Sequence, residues 1–386
     1  MGGLGVHLNE VLKRFDTTRY NVTAICHDSA DYVMQDGKVK VFGINTGMPL
    51  DMGEDSVSDT LVYQTRFVSR YMQLIQSQEL QTPDLIHICD WTTAVAGEEI
   101  ARISGAKIVF AVHLSINASV TEVAPLYKLS LKTAQQIEWN ICRKADKILH
   151  VSQMYADQFP FMFYAHKTAV CHNGVDYQTF ANADTSVELP GDKPVKILYL
   201  GRIADMKNPH SLWSIKIPEN VDLVFVGGEQ GSSDILLQSL RTVAENNPQV
   251  HYMGAKYGQD KVDILASADL VVMPSTHEPF GMVALEALAA GQNGKTILAA
   301  SFVDGLGEFL TEESAINCGT SVESIQAAVE QFLAMTEGQK AAMRQAGCAL
   351  AQQYSWEACA SKIQQAWDEV LDTEEQYANG TLGSDN

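Results

Sequence analysis

Long apolar runs are missing from this chain. Nowhere in its 386 residues do about 18 apolar side chains follow one another, so no membrane-spanning helix is expected. A basic segment leading into an apolar one is also missing at the N-terminus, so no secretory leader is expected. Positive charge is scarce: 27 Lys and Arg face 47 Asp and Glu, a net charge of −20. Residues 1–190 carry 15 basic and 21 acidic side chains, and residues 191–386 carry 12 and 26. Such a surface repels phosphate backbones and anionic lipid, so neither a nucleic-acid partner nor membrane association is expected. The seven cysteines are scattered and none forms C-x-x-C, and an odd count argues against a disulfide framework. A reduced, cytoplasmic setting follows as the expectation, with the sequons at Asn21, Asn117 and Asn379 unused. No D-x-D occurs and no His, Cys or Asp cluster has metal-ligand spacing, so neither a metal nor another cofactor is expected.

What is present is alternation. Short β-type runs at Val22–Cys26, Val39–Phe42, Leu85–Ile88, Lys107–Val112, Lys147–Val151 and Ala169–Cys171 are separated by helical stretches. A second series follows at Lys196–Leu200, Leu223–Val226, Val250–Met253, Leu270–Met273 and Thr296–Ala299. Such alternation predicts an α/β chain with parallel sheets. The turn-rich segment Leu189-Pro190-Gly191-Asp192-Lys193-Pro194 reads as a linker. It suggests an N-terminal domain over 1–190 and a C-terminal domain over 191–354. A last helix is expected over 355–371, and a disordered acidic tail over 372–386.

The richest stretch is Glu278-Pro279-Phe280-Gly281-Met282-Val283-Ala284-Leu285-Glu286, after the strand Leu270–Met273. Pro279 suits the start of a helix, and Gly281 lets a ligand approach the backbone. Glu286 is the one charge in an apolar run, which is costly unless something binds it. The two carboxylates lie roughly 12 Å apart along a helix axis, about the reach of a nucleotide-sugar. A helix N-terminus between them offers N–H groups to a diphosphate. The string resembles the E-x7-E signature of retaining glycosyltransferases with the GT-B fold, especially glycosyltransferase family 4 and the glycogen and starch synthases. The resemblance implies two Rossmann-like, doubly wound domains facing across a cleft. It implies that Glu278 contacts the donor sugar, that Glu286 binds the ribose, and that Phe280, Gly281, Met282 and Val283 line the donor.

Arg202 and Lys207 follow the strand Lys196–Leu200, in Gly201-Arg202-Ile203-Ala204-Asp205-Met206-Lys207-Asn208-Pro209. Two cations beyond the carboxyl end of a strand could stabilise a leaving diphosphate, although they also suit a plain surface loop. The segment resembles the family's G-R-x5-K-x-P motif, in which the Arg and Lys grip that diphosphate.

In the N-terminal half, Gly2-Gly3-Leu4-Gly5 could bring backbone N–H groups to phosphate or simply form a turn. The run resembles the family's glycine-rich loop, which makes Gly3 a candidate donor contact. The strand that precedes this loop in the family, normally central in such a sheet, does not precede Gly2 here; a truncated chain, a misassigned start and a sheet that closes differently all stand as explanations. His113 ends the strand Lys107–Val112, where the family places a His against the donor sugar. Asp90 and Trp91 close a segment resembling the H-x-H-D-W run of glycogen-synthase relatives, with Cys89 in place of the second His. The resemblance gives Asp90 a sugar hydroxyl, and has Trp91 pack or form an acceptor platform. Asn173-Gly174-Val175-Asp176 and Asp304-Gly305-Leu306-Gly307-Glu308 resemble family loops; the first reads as a structural turn, the second as cleft-lining and mostly structural.

The expected function is metal-independent, retaining transfer of a hexose, glucose in the first instance. The donor is a UDP-, ADP- or GDP-linked sugar and the acceptor a soluble sugar or glucan. His113, Glu278, Arg202 and Lys207 are the expected catalytic residues. A non-catalytic or truncated nucleotide-sugar binder, or another GT-B enzyme such as an epimerase or phosphorylase, stands as the alternative.

Overall fold

The computed structural model describes residues 3–28, 30–36, 39–45, 56–116, 128–158, 160–228 and 234–378. The chain divides into two compact units, Met1–His172 with Glu357–Asn386, and Asn173–Trp356. The division falls before the turn-rich linker, because residues 173–188 pack onto the second unit. A Cβ at Gly174 would lie 2.3 Å from the Trp356 backbone nitrogen, and Val175 N–H donates to the Tyr354 carbonyl at 3.1 Å. Tyr177 Oη reaches Gln292 at 2.9 Å, and Asp184 N–H reaches Asp263 at 2.9 Å. The linker itself is pinned: Lys193 N–H and Lys196 Nζ both donate to Asp222, which is fully buried.

In the first unit β1 (Thr23–Asp28), β2 (Tyr32–Asp36) and β3 (Val39–Asn45) form one sheet in the order β1-β3-β2. β1 runs parallel to β3, with Thr23 opposite Lys40, and β2 runs antiparallel. β4 (Leu85–Cys89), β5 (Lys107–Val112), β6 (Lys147–His150) and β7 (Thr168–Val170) form a second, all-parallel sheet in chain order. Val109 and Phe110 of β5 are fully buried, as expected of a strand covered on both faces. β1 and β4 each stand at a sheet edge, and every residue of β1 is only half-buried.

The last helix spans Trp356–Ala378, past the end expected at Leu371, because residues 372–378 contain neither Gly nor Pro to stop it. Residues 379–386 of the expected tail lie outside the described residues. The helix completes the first unit. Trp367 packs on Phe15 and Tyr20 and donates from Nε1 to His87 Nδ1 at 3.0 Å. Arg14 pairs with Glu357 at 2.6 Å and Arg19 with Asp368 at 2.8 Å.

The second unit holds β8 (Val195–Leu200), β9 (Val221–Val226), β10 (Val250–Tyr252), β11 (Leu270–Met273), β12 (Ile297–Ala300) and β13 (Ile316–Asn317). All are parallel, in the order β10-β9-β8-β11-β12-β13. The direction of winding reverses between β8 and β11. In open α/β sheets the crevice beyond the carboxyl ends of the strands at such a switch point is where ligands bind. Among the described residues no helix is long and apolar enough to cross a membrane.

Candidate donor site and the turn after β5

The loops leaving β8 and β11 emerge side by side at the switch point. They are zipped together: Thr276 N–H donates to the Met206 carbonyl at 3.0 Å. Asn208 locks the same junction from a left-handed backbone (φ 54°), donating from Nδ2 to the carbonyls of Pro274 at 2.9 Å and Thr320 at 2.8 Å. Gly201 and Gly227 approach so closely that a Cβ at Gly227 would lie 1.7 Å from the Gly201 carbonyl oxygen. The result is a rigid floor from which Arg202 and Lys207 project.

Lys207 Nζ lies 2.5 Å from Glu278 Oε2, with both side chains mostly buried. Arg202 sits beside the Met206 sulfur at 3.9 Å, and its carbonyl accepts from Tyr199 Oη at 2.5 Å. The structure therefore brings together three of the sequence candidates, Arg202, Lys207 and Glu278. Gly281 adopts φ 103°, and a Cβ there would meet Leu306 at 2.3 Å. Glycine is required at this position to turn the chain into the helix Met282–Ala290. That helix has no side-chain cap, so the N–H groups of its first turn, at Met282 and Val283, lack an intrahelical acceptor. Phe280 is different. Its ring is 3% exposed and packs on Phe309 and Tyr354, so only its backbone faces the loop.

Glu286 is the buried charge on this helix, and its partner is Lys261, with Nζ 2.5 Å from Oε2. Lys261 comes from the helix Gly258–Ser267, and nothing in its local sequence marks it. Both carboxylates of the Glu278–Glu286 pair thus hold a lysine in the free protein. Sequence reasoning also missed His277 and read Asp304 only as part of a structural run; the two bind each other beside Glu278.

The first unit gathers the other candidates around the turn after β5. Asp90 Oδ1 accepts from His113 N–H at 2.6 Å and from Leu114 N–H at 3.1 Å. Glu138, fully buried, holds the next residues through Ser115 Oγ at 2.7 Å and Ile116 N–H at 3.1 Å. The His113 ring meets His7 edge-on at 4.3 Å, and His7 belongs to the helix Gly3–Leu12 that Gly3 opens. Burial holds His113 well below the usual imidazole range, and the neighbouring His7 and His87 push the same way. The ring is neutral, and its Nε2 is buried without a partner among the described residues. Gly2 lies outside the described residues. Trp91 is 8% exposed and packs on Ala134, Ile116 and Ile137, so its ring is core and not an open platform.

Asp90 is strained and buried: φ is 59° and its exposure 9%. Burial pushes its pKa up to about 7 against the two backbone N–H groups that lower it. The folded carboxyl is a weaker acid than the unfolded one, so its contribution is full below about pH 4 and is lost as pH rises towards 7. Asp90→Asn is therefore expected to raise Tm relative to the parent more at pH 8 than at pH 5. A pH-independent difference in thermal melts would refute this.

Residues 1–179 match Glycosyltransferase Family 4 and residues 182–349 match Glycosyl transferases group 1. The chain belongs to this family of GT-B glycosyltransferases. It is 24% identical to a glycogen synthase of Mycobacterium tuberculosis over 95% of this chain and 91% of that protein. Its fold is similar to a sucrose-phosphate synthase from Thermosynechococcus elongatus, with a TM-score of 0.80 at 20% identity over 96% of this chain and 94% of the other. It is also similar to Anabaena HepE in complex with UDP and glucose, with a TM-score of 0.67 at 17% identity over 95% and 96% of the two chains. This family 4 chain is a glycosyltransferase that uses a nucleotide-sugar donor and carries two Rossmann-like domains.

Proposed function

We propose that this glycosyltransferase moves a glucosyl unit from UDP- or ADP-glucose to a sugar or glucan acceptor, in the cytoplasm, with retention and without a metal. The observation that carries the reading is the Lys207–Glu278 ion pair at the switch point of the second unit. A diphosphate arriving there competes for Lys207 and frees the Glu278 carboxylate for the hydroxyls of the hexose. Arg202 adds the second cation. The N–H groups of Met282 and Val283 take phosphate oxygens at the helix N-terminus, and Gly281 lets the donor come close. Glu286 takes the ribose hydroxyls. In the first unit, the neutral His113 offers Nε2 to a sugar hydroxyl, and Asp90 fixes the turn that carries it. Gly3 supplies a backbone contact to phosphate.

Retention follows from attack on the face the diphosphate leaves. The bond from the anomeric carbon to the phosphate oxygen breaks and the bond to the acceptor oxygen forms, while the acceptor proton passes to the leaving phosphate. The similarity to HepE, whose structure holds UDP and glucose, supports this choice of donor, as does the glycogen synthase relative.

The test is thermal unfolding with UDP, ADP and GDP, each with and without a chelator. A ligand bound to the native state alone at a hundredfold excess over Kd adds about 2.7 kcal/mol. A chelator-resistant shift with UDP or ADP is expected; a shift that needs added divalent metal would overturn metal independence. Glu286→Ala is expected to weaken nucleotide binding about tenfold or more, since hydrogen bonds to a charged group contribute about 1.5–3 kcal/mol. Unchanged affinity in a titration would remove Glu286 from the ribose site.

A further inference from the structure

We propose that Asp304 and His277 are positioning residues that aim the Glu278 carboxylate, an inference that rests on the donor-site reading above. One carboxylate oxygen, Asp304 Oδ2, takes two partners. The backbone N–H of Glu278 donates to it at 3.0 Å, and His277 Nδ1 lies 2.5 Å away. In return Gly305 N–H donates to the Glu278 carbonyl at 3.0 Å. The Glu278 residue is thus held at both its N–H and its carbonyl by the first turn of the helix Asp304–Phe309. From this backbone its side chain reaches Lys207.

The backbone at Asp304 is left-handed as well. Its φ is 44°, in the region that glycine adopts most freely and that Asn and Asp adopt as single residues. A chain that needed only the turn would be better served by glycine. The carboxylate makes contacts that glycine could not, to Glu278 itself and to its neighbour His277. Asp304 also stays ionised: burial raises its pKa, but the hydrogen bonds from His277 and from Glu278 N–H outweigh it and hold the carboxyl below the usual range. Gly305 is fixed by sterics, since a Cβ there would lie 2.1 Å from the Pro279 carbonyl oxygen. Asp304, Asn208 and Asp90 are three of the four non-glycine residues with positive φ among those described, and all three brace candidate site residues.

The test compares Asp304→Gly, Asp304→Asn and Glu278→Gln with the parent. Lysines are reductively methylated with 13C, and Lys207 is assigned by its loss in Lys207→Arg. In Asp304→Gly the Lys207 signal is expected to move towards that of an exposed lysine. Release of UDP, ADP or GDP from UDP-glucose, ADP-glucose or GDP-mannose is expected to fall at least thirtyfold in kcat, with KM for the donor within threefold. Asp304→Asn, which keeps an oxygen for Glu278 N–H and tolerates the left-handed turn, is expected to recover to within about fivefold of the parent. An unmoved Lys207 signal, or a loss of rate that only tracks a falling Tm, would overturn the positioning role. If Glu278→Gln keeps the parent rate, or the parent turns over none of the three donors, the donor-site reading fails, and the Lys207 signal still decides the positioning role.

Discussion

Lys207→Ala is expected to lower kcat/KM for the nucleotide-sugar by about 10²–10³-fold, the usual cost of removing one preorganised group that meets developing charge. The reason is local. Lys207 is held by a loop that Asn208 and Thr276 tie to the next strand, so its ammonium is already in place when the diphosphate leaves. Arg202 remains in the variant, but it is held differently, against the Met206 sulfur, and cannot take over the same position. A partner experiment separates binding from chemistry. Glu278→Gln removes the charge that holds Lys207 in the free protein, so it is expected to tighten UDP or ADP a few-fold, the scale of an ion pair near the surface. The same variant is expected to lose transfer. Tighter product and slower turnover in one protein is an outcome that general damage to the fold does not produce. Steady-state rates together with nucleotide titrations check it. Equal losses of nucleotide affinity and rate in Glu278→Gln would refute the competition between carboxylate and diphosphate.

Asp222→Ala is expected to destabilise the second unit by about 3–5 kcal/mol, the cost of leaving one member of a buried pair behind. Asp222 is fully buried near the start of β9. Its Oδ2 accepts from Lys196 Nζ at 2.6 Å and from Lys193 N–H at 2.8 Å, and its Oδ1 faces His251 Nε2 at 3.4 Å. Without the carboxylate, Lys196 keeps only the Pro190 carbonyl, at 3.1 Å. A loss of that size lowers Tm by roughly 10 °C for a unit of this length. Burial raises the Asp222 pKa, but Lys196, Lys193 N–H and His251 outweigh it and hold the carboxyl low. A lowered acid stabilises the fold above its unfolded pKa and loses that contribution as pH falls through the folded value. The gap in Tm between parent and variant is therefore expected to be full at neutral pH and to close below about pH 4, the unfolded aspartate value. Asp222 stands at the opposite end of the strands from the donor loops, so kcat of the folded variant is expected to match the parent. A Tm within about 2 °C of the parent would show that the network contributes little.

Much of the parallel framework was legible because buried parallel strands write themselves as short apolar runs. β8, β9, β11 and β12 all fall within a few residues of where the apolar runs place them. β2 was not legible: Tyr32-Val33-Met34-Gln35-Asp36 has no clean alternation and forms an antiparallel edge whose order comes from β3. β13 is two residues long, too short for a periodic signal. Of the site, the Glu278–Glu286 string and the Arg202–Lys207 loop could be located because adjacent residues in sequence carry them. What closes around them could not. Lys261 reaches Glu286 from another helix, and Asp304 reaches Glu278 from the start of a helix 26 positions away. The resemblance left Trp91 to pack or to form a platform, and its burial, like that of the Phe280 ring, depends on partners scattered over the chain. The linker misled for the same reason: its prolines and glycine signal a turn, and only the distant Asp222 makes that turn part of the second unit.

The discontinuous first unit has a consequence for how the protein is made. Residues 173–356 form a continuous unit that can fold as it leaves the ribosome, since domains generally fold as units during synthesis. The unit begun first has to wait. Trp367, Cys359, Ile363 and Val370, which the last helix buries, are translated only after the whole of the second unit. Until then the surface around Phe15, Tyr20 and His87 lacks its cover. The unit begun first is finished last, and a chain cut after Trp356 carries a complete second unit joined to a first one that lacks its last helix.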